Sequence, residues 1–515
     1  MNISSILIPP ARTRVMTKTI SLKNITHSFI EKLLLDEVSF KFTSDDRVCI
    51  VGDNGTGKST LLKIIVGEIE QDEGSVVMDS HSRRYYVPQE FPKADLNTSV
   101  EEFIKKYASV SVLKKLFSIS VQLGFDLEKV LTTQCISLSG GQQKVLALSV
   151  GISMTPDFLL LDEPENHLDI VSRMELIKVL QNYRGGVLFV SHDRMIIDAV
   201  ATKVAEVADK KVFISEGAYQ DYIDSRLSRI AGLQRNFDSD SKRIKQLELL
   251  VPMLAQKALR GKDVASYLKR KEELKEMKEY QKANPRADDT RTKIKLVGSS
   301  SDLHNGKLLC RIDKACFSYE NKEIFKDITL DMRTGSHIVL LGRNGSGKST
   351  FLNSITGNLK LASGSVVWAD NLKTSYFDQH AEFDVKKEAM QIISEALICD
   401  ENKARIVLGA MKFTPEKMKT KVGELSGGER MRLRFALVFG GNPDFIILDE
   451  PTNNLDEVTW QILLNACNES SSTILLVTHD HEFIAGLESK VFWLIKNKTI
   501  QERHKDLDQV IDELR

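Results

Sequence analysis

Short apolar runs recur in both halves of the chain, and each is followed by a glycine-rich turn or by polar residues. They are four or five residues long, rich in Val, Ile, Leu and Phe, and lie at 47–51, 158–162, 187–190, 337–341, 445–449 and 473–477. Runs of this length and composition predict strands that are buried on both faces. Helical patterns alternate with them, for example those that begin at Thr60 and Thr350. The sequence therefore predicts an α/β fold with largely parallel sheets.

The same polar motifs return in the same order in the second half. The glycine-rich turn at 52–59 recurs at 342–349, and the segment LSGG at 138–141 recurs at 425–428. The other matched pairs are Phe29 with Tyr319, Gln89 with Gln379, Asp162 with Asp449, Glu163 with Glu450, and His192 with His479. The interval is 290 residues up to the glutamine pair and 287 residues from LSGG onward. An ordered set of repeats at nearly constant spacing indicates two copies of a single domain.

The segment between the copies has a different character. Apolar residues at heptad-like spacing predict a long amphipathic helix from Ile223 to Leu254, which Pro252 should kink or end. Gly261 and Asp263 predict a turn before a second, lysine-rich helix that runs to about Asn284. We therefore predict domains at 18–222 and 307–502, an antiparallel helical hairpin linker within 223–306, and tails at 1–17 and 503–515.

Charge separates the linker from the rest of the protein. The 515 residues have no net charge, whereas Arg226 to Lys295 contain 19 Lys or Arg against 10 Asp or Glu. Two interpretations stay open for this basic hairpin: a solvated spacer, or a probe that contacts RNA phosphates.

Other features indicate a cytoplasmic protein. No apolar run approaches the roughly 20 residues of a membrane helix. Residues 1–17 lack the apolar core and cleavage site of a signal peptide, so we expect a flexible tail. The six cysteines lack ligand spacing and predict buried thiols in a reducing compartment.

The repeated glycine-rich turn has the pattern GxxxxGK[ST] between a strand and a helix, which predicts a phosphate-binding loop. Lys58 and Lys348 are expected against the β and γ phosphates, with the Ser59 and Ser349 hydroxyls on magnesium. A carboxylate at the end of a buried strand suits the magnesium shell, and the next carboxylate can polarise an attacking water. These roles are predicted for Asp162 and Asp449, and for Glu163 and Glu450, respectively. His192 and His479 follow apolar strands and are predicted to complete the charge around the γ phosphate.

These motifs closely resemble those of the ATP-binding-cassette superfamily, over about residues 18–222 and 307–502. The resemblance identifies LSGGQ and LSGGE as signature motifs, Gln89 and Gln379 as Q-loop residues near magnesium, and His192 and His479 as switch histidines. It also implies that Phe29 and Tyr319 stack on adenine. The nucleotide-binding residues that it implies are Phe29, Gly52, Asp53, Asn54, Gly55, Thr56, Gly57, Lys58, Ser59, Thr60, Ser139, Gly140, Gly141, Gln142, Tyr319, Gly342, Arg343, Asn344, Gly345, Ser346, Gly347, Lys348, Ser349, Thr350, Ser426, Gly427, Gly428 and Glu429.

In that superfamily two cassettes pair head-to-tail, and the resemblance implies two composite sites for ATP and Mg²⁺. Site 1 has Lys58, Gln89, Glu163 and His192 of cassette 1 facing Ser426 and Gly428. Site 2 has Lys348, Gln379, Glu450 and His479 of cassette 2 facing Ser139 and Gly141. Because every named residue is present in both, both sites are expected to hydrolyse ATP, in a monomer with an intramolecular pair of cassettes.

Two fused cassettes without membrane spans resemble the ABC-F group, as do the segments NHLD at 166–169 and NNLD at 453–456. The resemblance implies a translation factor or an antibiotic-resistance factor that enters the ribosome, with the linker near tRNA and the peptidyl-transferase centre. The short predicted tip of the linker, about 252–262, favours a general translation factor. The alternatives are the ATP-binding subunit of a membrane transporter and a nucleic-acid ATPase that acts away from the ribosome.

Three positions depart from the family pattern. Glu165 replaces the usual threonine, Asn454 replaces the histidine kept at His167, and Val145 lies where the second copy has Arg432. Either cassette 1 cycles differently from cassette 2, or these positions tolerate drift.

Overall fold

The structure is a computed structural model. It describes residues 17–29, 32–53, 55–260, 264–283, 306–319, 322–377, 383–453 and 455–514. Two predicted site residues, Asn54 and Gln379, lie outside the described residues, as do Asn454, the predicted turn at 261–263 and residues 284–305 of the predicted linker. The chain divides into two compact units, one formed by 1–214 with 294–515 and the other by 215–293.

Cassette 1 contains nine strands and six α-helices among its described residues. In chain order they are β1 Thr19–Phe29, β2 Lys32–Thr43, β3 Arg47–Val51, α1 Lys58–Val66, β4 Glu73–Met78, β5 Arg84–Val87, α2 Val100–Tyr107, α3 Leu113–Gln122, α4 Gly140–Ser153, β6 Phe158–Asp162, α5 Ile170–Gln181, β7 Gly186–Val190, α6 Arg194–Val200, β8 Lys203–Ala208 and β9 Lys211–Glu216. The main sheet has the order β5-β6-β7-β3-β8-β9, with parallel pairing from β5 to β8. A smaller antiparallel sheet has the order β2-β1-β4.

After the hairpin, cassette 2 repeats this architecture. The linker helices are α7 Tyr219–Ala258 and α8 Val264–Ala283. The elements of cassette 2 are β10 Leu308–Tyr319, β11 Lys322–Arg333, β12 His337–Gly342, α9 Lys348–Ile355, β13 Ser363–Trp368, β14 Thr374–Phe377, α10 Ala389–Ala396, α11 Glu401–Ala410, α12 Pro415–Met418, α13 Gly427–Gly440, β15 Phe445–Asp449, α14 Glu457–Glu469, β16 Thr473–Val477, α15 His481–Gly486, β17 Lys490–Lys496, β18 Thr499–Arg503 and α16 Leu507–Leu514. Its sheets have the orders β14-β15-β16-β12-β17-β18 and β11-β10-β13. The predicted α/β fold with two cassette domains is confirmed.

The central strands are buried because both faces of each main sheet are covered. Alternate residues of β15 belong to two different hydrophobic clusters. Ile446 and Leu448 pack in a cluster made mainly of helix residues, whereas Phe445 and Ile447 pack in a cluster with residues of the smaller sheet and of α9. Every residue of β6 and β7 is buried, as the continuous apolar runs predicted.

Parallel pairing brings the carboxyl ends of β3, β6 and β7 to one edge of the main sheet. The phosphate-binding loop follows β3, the acidic pair follows β6 and the switch histidine follows β7. The topology therefore gathers the predicted chemistry of cassette 1 at that edge.

The last helix occupies residues that were predicted to form a tail. Its apolar residues Leu507, Val510, Ile511 and Leu514 are all buried. They belong to a hydrophobic cluster that also contains Ile170 and Val171 of cassette 1. The i, i+3, i+4, i+7 spacing produces one apolar face, and that face finds its partners on both cassettes.

In the unit formed by 215–293, the described residues form mainly the two paired helices α7 and α8. Its long helix α7 continues past Pro252 to Ala258, so the proline does not end it. A proline removes one backbone hydrogen bond, but the other hydrogen bonds of this 40-residue helix keep the backbone helical on both sides of Pro252. Ile244, Leu247 and Leu254 are buried as the heptad-like pattern predicted. Ion pairs join the two helices, at 2.7 Å between Arg243 and Glu273 and at 2.6 Å between Lys278 and Glu248.

Candidate functional site

The glycine-rich turns form tight loops between β3 and α1, and between β12 and α9. Gly57 and Gly347 lie just before each helix with φ of 101° and 100°, a conformation that favours glycine. At Gly52 a Cβ atom would lie 2.5 Å from the carbonyl oxygen of Val207, so a larger residue does not fit. Each loop thus brings backbone N–H groups and a helix N-terminus to one point, as anion binding requires.

The loop lysines are buried against their own loops. The ammonium of Lys58 donates to the carbonyl oxygens of Gly52 and Asp53 at 2.7 and 3.0 Å. Lys348 makes the equivalent bonds to Gly342 and Arg343 at 2.9 and 3.3 Å. Burial lowers the pKa of both lysines, and the neighbouring carboxylates partly oppose that effect. A buried ammonium in this position is suited to an anionic ligand.

The predicted magnesium ligands of cassette 1 lie together. The hydroxyl of Ser59 donates to Asp162 Oδ1 at 3.2 Å, and that of Tyr86 donates to Asp162 Oδ2 at 3.1 Å. In cassette 2, burial raises the pKa of Asp449, while Lys348 and a hydrogen bond with Ser349 lower it. Each hydroxyl–carboxylate pair offers the oxygen ligands that Mg²⁺ prefers.

Each predicted catalytic glutamate lies at a strained turn. Glu163 and Glu450 have φ of 44° and 49°, which is uncommon for residues other than glycine. Glu163 accepts hydrogen bonds from Gln89, at 2.7 Å, and from Asn166. Burial raises the pKa of Glu163, and it raises that of Glu450 to about 7. A carboxylate with a pKa near neutrality is matched to general-base work.

Each switch histidine lies near the loop lysine of its own cassette; His479 is buried and His192 is partly buried. Burial and Lys58 lower the pKa of His192 to about 3, and its Nε2 atom has no hydrogen-bond partner among the described residues. His479 Nε2 lies 3.4 Å from Glu450 Oε1. Since burial also holds the pKa of His479 well below its ordinary value, the imidazole is neutral and this contact is not an ion pair.

The signature serines begin helices. Ser139 caps α4 by accepting from the Gln142 backbone N–H at 3.3 Å, and the Gln142 side chain accepts from the Ser139 N–H at 2.9 Å. Ser426 and Glu429 repeat this capping box at α13. Gln142 and Glu429 therefore have a capping role that the sequence prediction did not include.

The structure brings Glu450 and His479 of the predicted site 2 to one cavity with Ser139 and Gly141 of the other cassette. A cavity of about 770 Å³ is lined by Arg343, Asn344, Gly345, Glu450 and His479 of cassette 2 and by Ser139, Gly141 and Gln142 of cassette 1. Asn344 joins the two sides: its backbone N–H donates to Asp169 Oδ2 at 2.9 Å, and its amide donates to the His167 carbonyl at 2.6 Å. The volume is in the range of small-molecule sites.

Site 1 is described less completely because Asn54 and Asn454 lie outside the described residues. Asp456 caps α14 through Thr459, at 2.7 Å, as Asp169 caps α5 through Ser172. Burial lowers the pKa of Lys58 in cassette 1, and the charge of Asp456 in cassette 2 is among those that partly oppose this shift, so Asp456 lies near the loop of site 1.

The predicted adenine platforms are exposed aromatic rings at the ends of two strands. Phe29 ends β1 and is 62% exposed, and Tyr319 ends β10 and is 48% exposed. The Tyr319 ring packs edge-on against Phe317, with centroids 4.9 Å apart. An aromatic face left open to solvent is available for stacking.

The residues present fit ATP and Mg²⁺. Buried polar atoms without a partner among the described residues, such as His192 Nε2 and Ser346 Oγ, lie in the segments predicted to hold the phosphates. A neutral imidazole can donate to a phosphate oxygen, and each lysine is already held at its loop.

Known proteins are similar to this chain over most of its length. A family profile described as "ABC transporter" matches residues 35–166 and 325–453. The ATP-binding proteins Uup of Buchnera aphidicola and Escherichia coli are both 31% identical to the chain, over 506 and 512 residues. These alignments cover 95% and 90% of the chain, and 83% and 78% of the relatives. The chain belongs to the ABC-F family.

Further proteins are similar to the chain in sequence or in fold. The putative ATP-binding protein YdiF of Bacillus subtilis is 29% identical to this ABC-F protein, covering 95% of the chain and 82% of YdiF. The solved RNase-L Inhibitor shares its fold, with a TM-score of 0.64, 20% identity and coverage of 96% and 93% of the two chains. In the described part of the chain, no helix has the length and hydropathy needed to cross a membrane.

Sequence reasoning missed several residues that the structure places at these sites. Lys144 of α4 is buried and donates to the carbonyls of Pro88, Gln89 and Asp162 at 3.0–3.1 Å, so it ties the signature helix to the Q-loop and to β6. Burial lowers its pKa to about 8. Arg173 lies in the cavity of site 2. Neither residue recurs in the other copy, where Met431 and Trp460 are the equivalents, so the repeat carried no signal for them.

Proposed function

We propose that this ABC-F protein hydrolyses ATP at two composite sites formed between its cassettes. The observation that carries the proposal is the cavity at site 2, where Glu450 and His479 of one cassette face Ser139 and Gly141 of the other. The same residue types occur at site 1, with Glu163 and His192 as the predicted catalytic residues.

The proposed reaction is attack of water on the γ phosphorus of ATP. Glu450 takes a proton from the water as its oxygen bonds to phosphorus, and the bond from phosphorus to the bridging oxygen of ADP breaks. His479, kept neutral by burial, donates a hydrogen bond to the phosphoryl oxygens, and Lys348 balances their charge. Ser349 and Asp449 would hold Mg²⁺, which when bound would supply further charge neutralisation on the phosphates.

We also propose that ATP-driven closure of the cassettes acts on the ribosome and brings the hairpin near tRNA and the peptidyl-transferase centre. Membership of the ABC-F family and the excess of basic residues in the hairpin support this part of the proposal. Among the solved structures with this fold, one is an archaeal ribosome recycling factor in complex with a ribosomal stalk protein. It is 19% identical to the chain, with a TM-score of 0.63 and coverage of 95% and 92% of the two chains.

The double variant Glu163→Gln with Glu450→Gln tests the proposal. A glutamine keeps the shape of each side chain but cannot accept the proton, so we expect turnover to fall by about 100-fold or more while ATP stays bound. With ATP, the variant should sediment with ribosomes, and the wild-type protein should be released as it hydrolyses. Glu70→Gln, at an exposed glutamate, is the control.

Two results would contradict the two parts of the proposal separately. Unchanged turnover in the double variant would contradict the assignment of Glu163 and Glu450 as catalytic residues. A variant that retains ATP but sediments free of ribosomes would remove the ribosomal role, and crosslinking and sequencing would then show whether another nucleic acid is bound.

A further inference from the structure

Arg173 is a buried arginine of cassette 1 that reaches the switch loop of cassette 2. It lies in the first turn of α5, only 6% exposed. Its Nε atom donates to the Leu168 carbonyl at 3.1 Å, and its NH1 atom donates to Asp193 Oδ2 at 3.0 Å and to the His479 backbone carbonyl at 3.3 Å. One side chain therefore connects the start of α5, the cap of α6 and the loop that carries His479.

Arg173 also lies at the cavity of site 2. It lines the same cavity as Glu450 and His479, the two predicted catalytic residues of cassette 2.

The equivalent position of cassette 2 holds Trp460, and its chemistry differs. The indole N–H of Trp460 donates to Asp480 Oδ2 at 2.6 Å, just as Arg173 donates to Asp193. Because an indole has a single N–H, Trp460 has no second donor for the His192 carbonyl. An arginine has five N–H donors and serves several acceptors at once.

A second arginine that crosses the interface, Arg194, contacts a different element. The Arg194 guanidinium lies 4.3 Å from the centre of the Trp460 ring, and it forms an ion pair with Glu482 of α15 at 3.1 Å. Cassette 1 thus places Arg173 against the loop that carries His479. The equivalent residue of cassette 2, Trp460, packs against the guanidinium of Arg194 instead.

From this asymmetry we propose that Arg173 is a positioning residue for site 2, through which cassette 1 holds the His479 loop in place for hydrolysis, and that site 1 has no such control from Trp460. The proposal rests on the proposed ATPase activity. The two sites are then unequal: hydrolysis at site 2 depends on a side chain of the opposite cassette, in addition to its signature motif.

The variant Arg173→Trp tests this directly because it copies the arrangement of cassette 2. The indole N–H can keep the bond to Asp193, whereas the His479 carbonyl is left without this donor. In a Glu163→Gln background, which leaves site 2 to turn over, we expect kcat to fall by about tenfold with KM for ATP nearly unchanged. In a Glu450→Gln background, which leaves site 1, the same change should alter kcat by less than about twofold.

Controls separate positioning from loss of folding. Trp460→Phe in the Glu450→Gln background removes the matching N–H and should leave turnover at site 1 within about twofold. If Arg173→Trp lowers the melting temperature markedly, Arg173→Lys is the variant to use instead, because lysine retains the positive charge beside Asp193. Equal losses at both sites, or a change in KM alone, would overturn the proposal.

A readout without turnover keeps the proposal separate from the proposed function. Histidine ring signals of the full-length protein can be followed by NMR, with His479 assigned from a His479→Gln variant. Arg173→Trp should shift the His479 signals and leave those of His192 unchanged. Unshifted His479 signals would overturn the proposal whether or not the protein hydrolyses ATP. Shifted signals without turnover would support the positioning of the His479 loop by Arg173 and would count against the ATPase assignment.

Discussion

Glu165 is a buried carboxyl beside the switch loop of cassette 1, where cassette 2 has Thr452. Its Oε1 atom accepts from the Ser191 hydroxyl at 2.6 Å and from the His192 N–H at 3.2 Å. Its Oε2 atom is buried with no hydrogen-bond partner among the described residues. In cassette 2 two hydroxyls take these places, with Thr452 and Thr478 at 2.6 Å. Burial raises the pKa of Glu165 to about 7.

This environment predicts that stability depends on pH. The pKa of Glu165 in the folded state lies above its ordinary value of 4.5. Below pH 4.5 the buried carboxyl therefore does not lower the free energy of unfolding, and the protein loses stability as pH rises from there towards about 7. The loss approaches roughly 3 kcal/mol above neutrality. We expect Glu165→Gln to melt higher than the wild-type protein at pH 8, with a much smaller difference at pH 5.

Melting temperatures of both proteins across this pH range provide the measurement. Glu165→Thr, which copies the pair in cassette 2, should remove the same pH dependence. A difference between Glu165→Gln and the wild-type protein that is the same at pH 5 and pH 8 would show that the carboxyl does not titrate in this range.

Among the secondary-structure elements, α16 connects the end of the chain to site 2. The Leu514 carbonyl accepts from Arg343 Nε, in the phosphate-binding loop, at 3.2 Å. The apolar face of the helix shares a hydrophobic cluster with Ile170 and Val171 of cassette 1. This short helix therefore packs at the interface between the cassettes and also holds Arg343 of the phosphate-binding loop.

Ile511→Ala tests the contribution of α16. Ile511 is only 1% exposed, so the substitution should leave a cavity and cost about 2–4 kcal/mol of stability. The exposed neighbour Gln509→Ala is the control and should change stability by less than about 0.5 kcal/mol. Chemical denaturation of the full-length variants measures both, and equal effects would mean that the helix does not stabilise the fold through its apolar face.

Across the molecule as a whole, charge is divided between the hairpin and the rest of the chain. The chain has no net charge, while Arg226 to Lys295 carry an excess of nine basic residues, 19 against 10. The exposed lysines of α7 and α8 are therefore the main candidates for contacts with phosphates.

Replacing Lys242, Lys245 and Lys269 with glutamine should weaken binding to ribosomes. The dependence of log affinity on log salt should fall by up to about one unit for each phosphate that a lysine no longer neutralises. All three lysines are exposed. The matched control changes three exposed lysines of cassette 1: Lys105, Lys114 and Lys129. Binding at several salt concentrations yields the slopes, and identical slopes for the two triple variants would rule out the hairpin as the basic contact surface.

Features that depend on local pattern or on repetition could be predicted from the sequence. Buried strands such as 158–162, the glycine-rich turns and the hairpin helices follow from short-range periodicity, so their positions were predictable. The repeat also paired the predicted residues of the two sites, since each motif occurs twice in the same order. The roles of those residues remain predictions.

How the two copies differ, and where they touch, depends on the tertiary structure. Arg173 and the His479 carbonyl are 306 positions apart, and no periodicity relates them. The same holds for Asn344 with Asp169 and for α16 with α5, whose partners come from opposite cassettes. A residue without an equivalent in the other copy has no signal in the repeat, and its partners are set by how the two cassettes pack. For this reason two sites whose predicted catalytic residues recur in both cassettes have different surroundings, such as Arg173 beside one switch loop and Trp460 at the equivalent position.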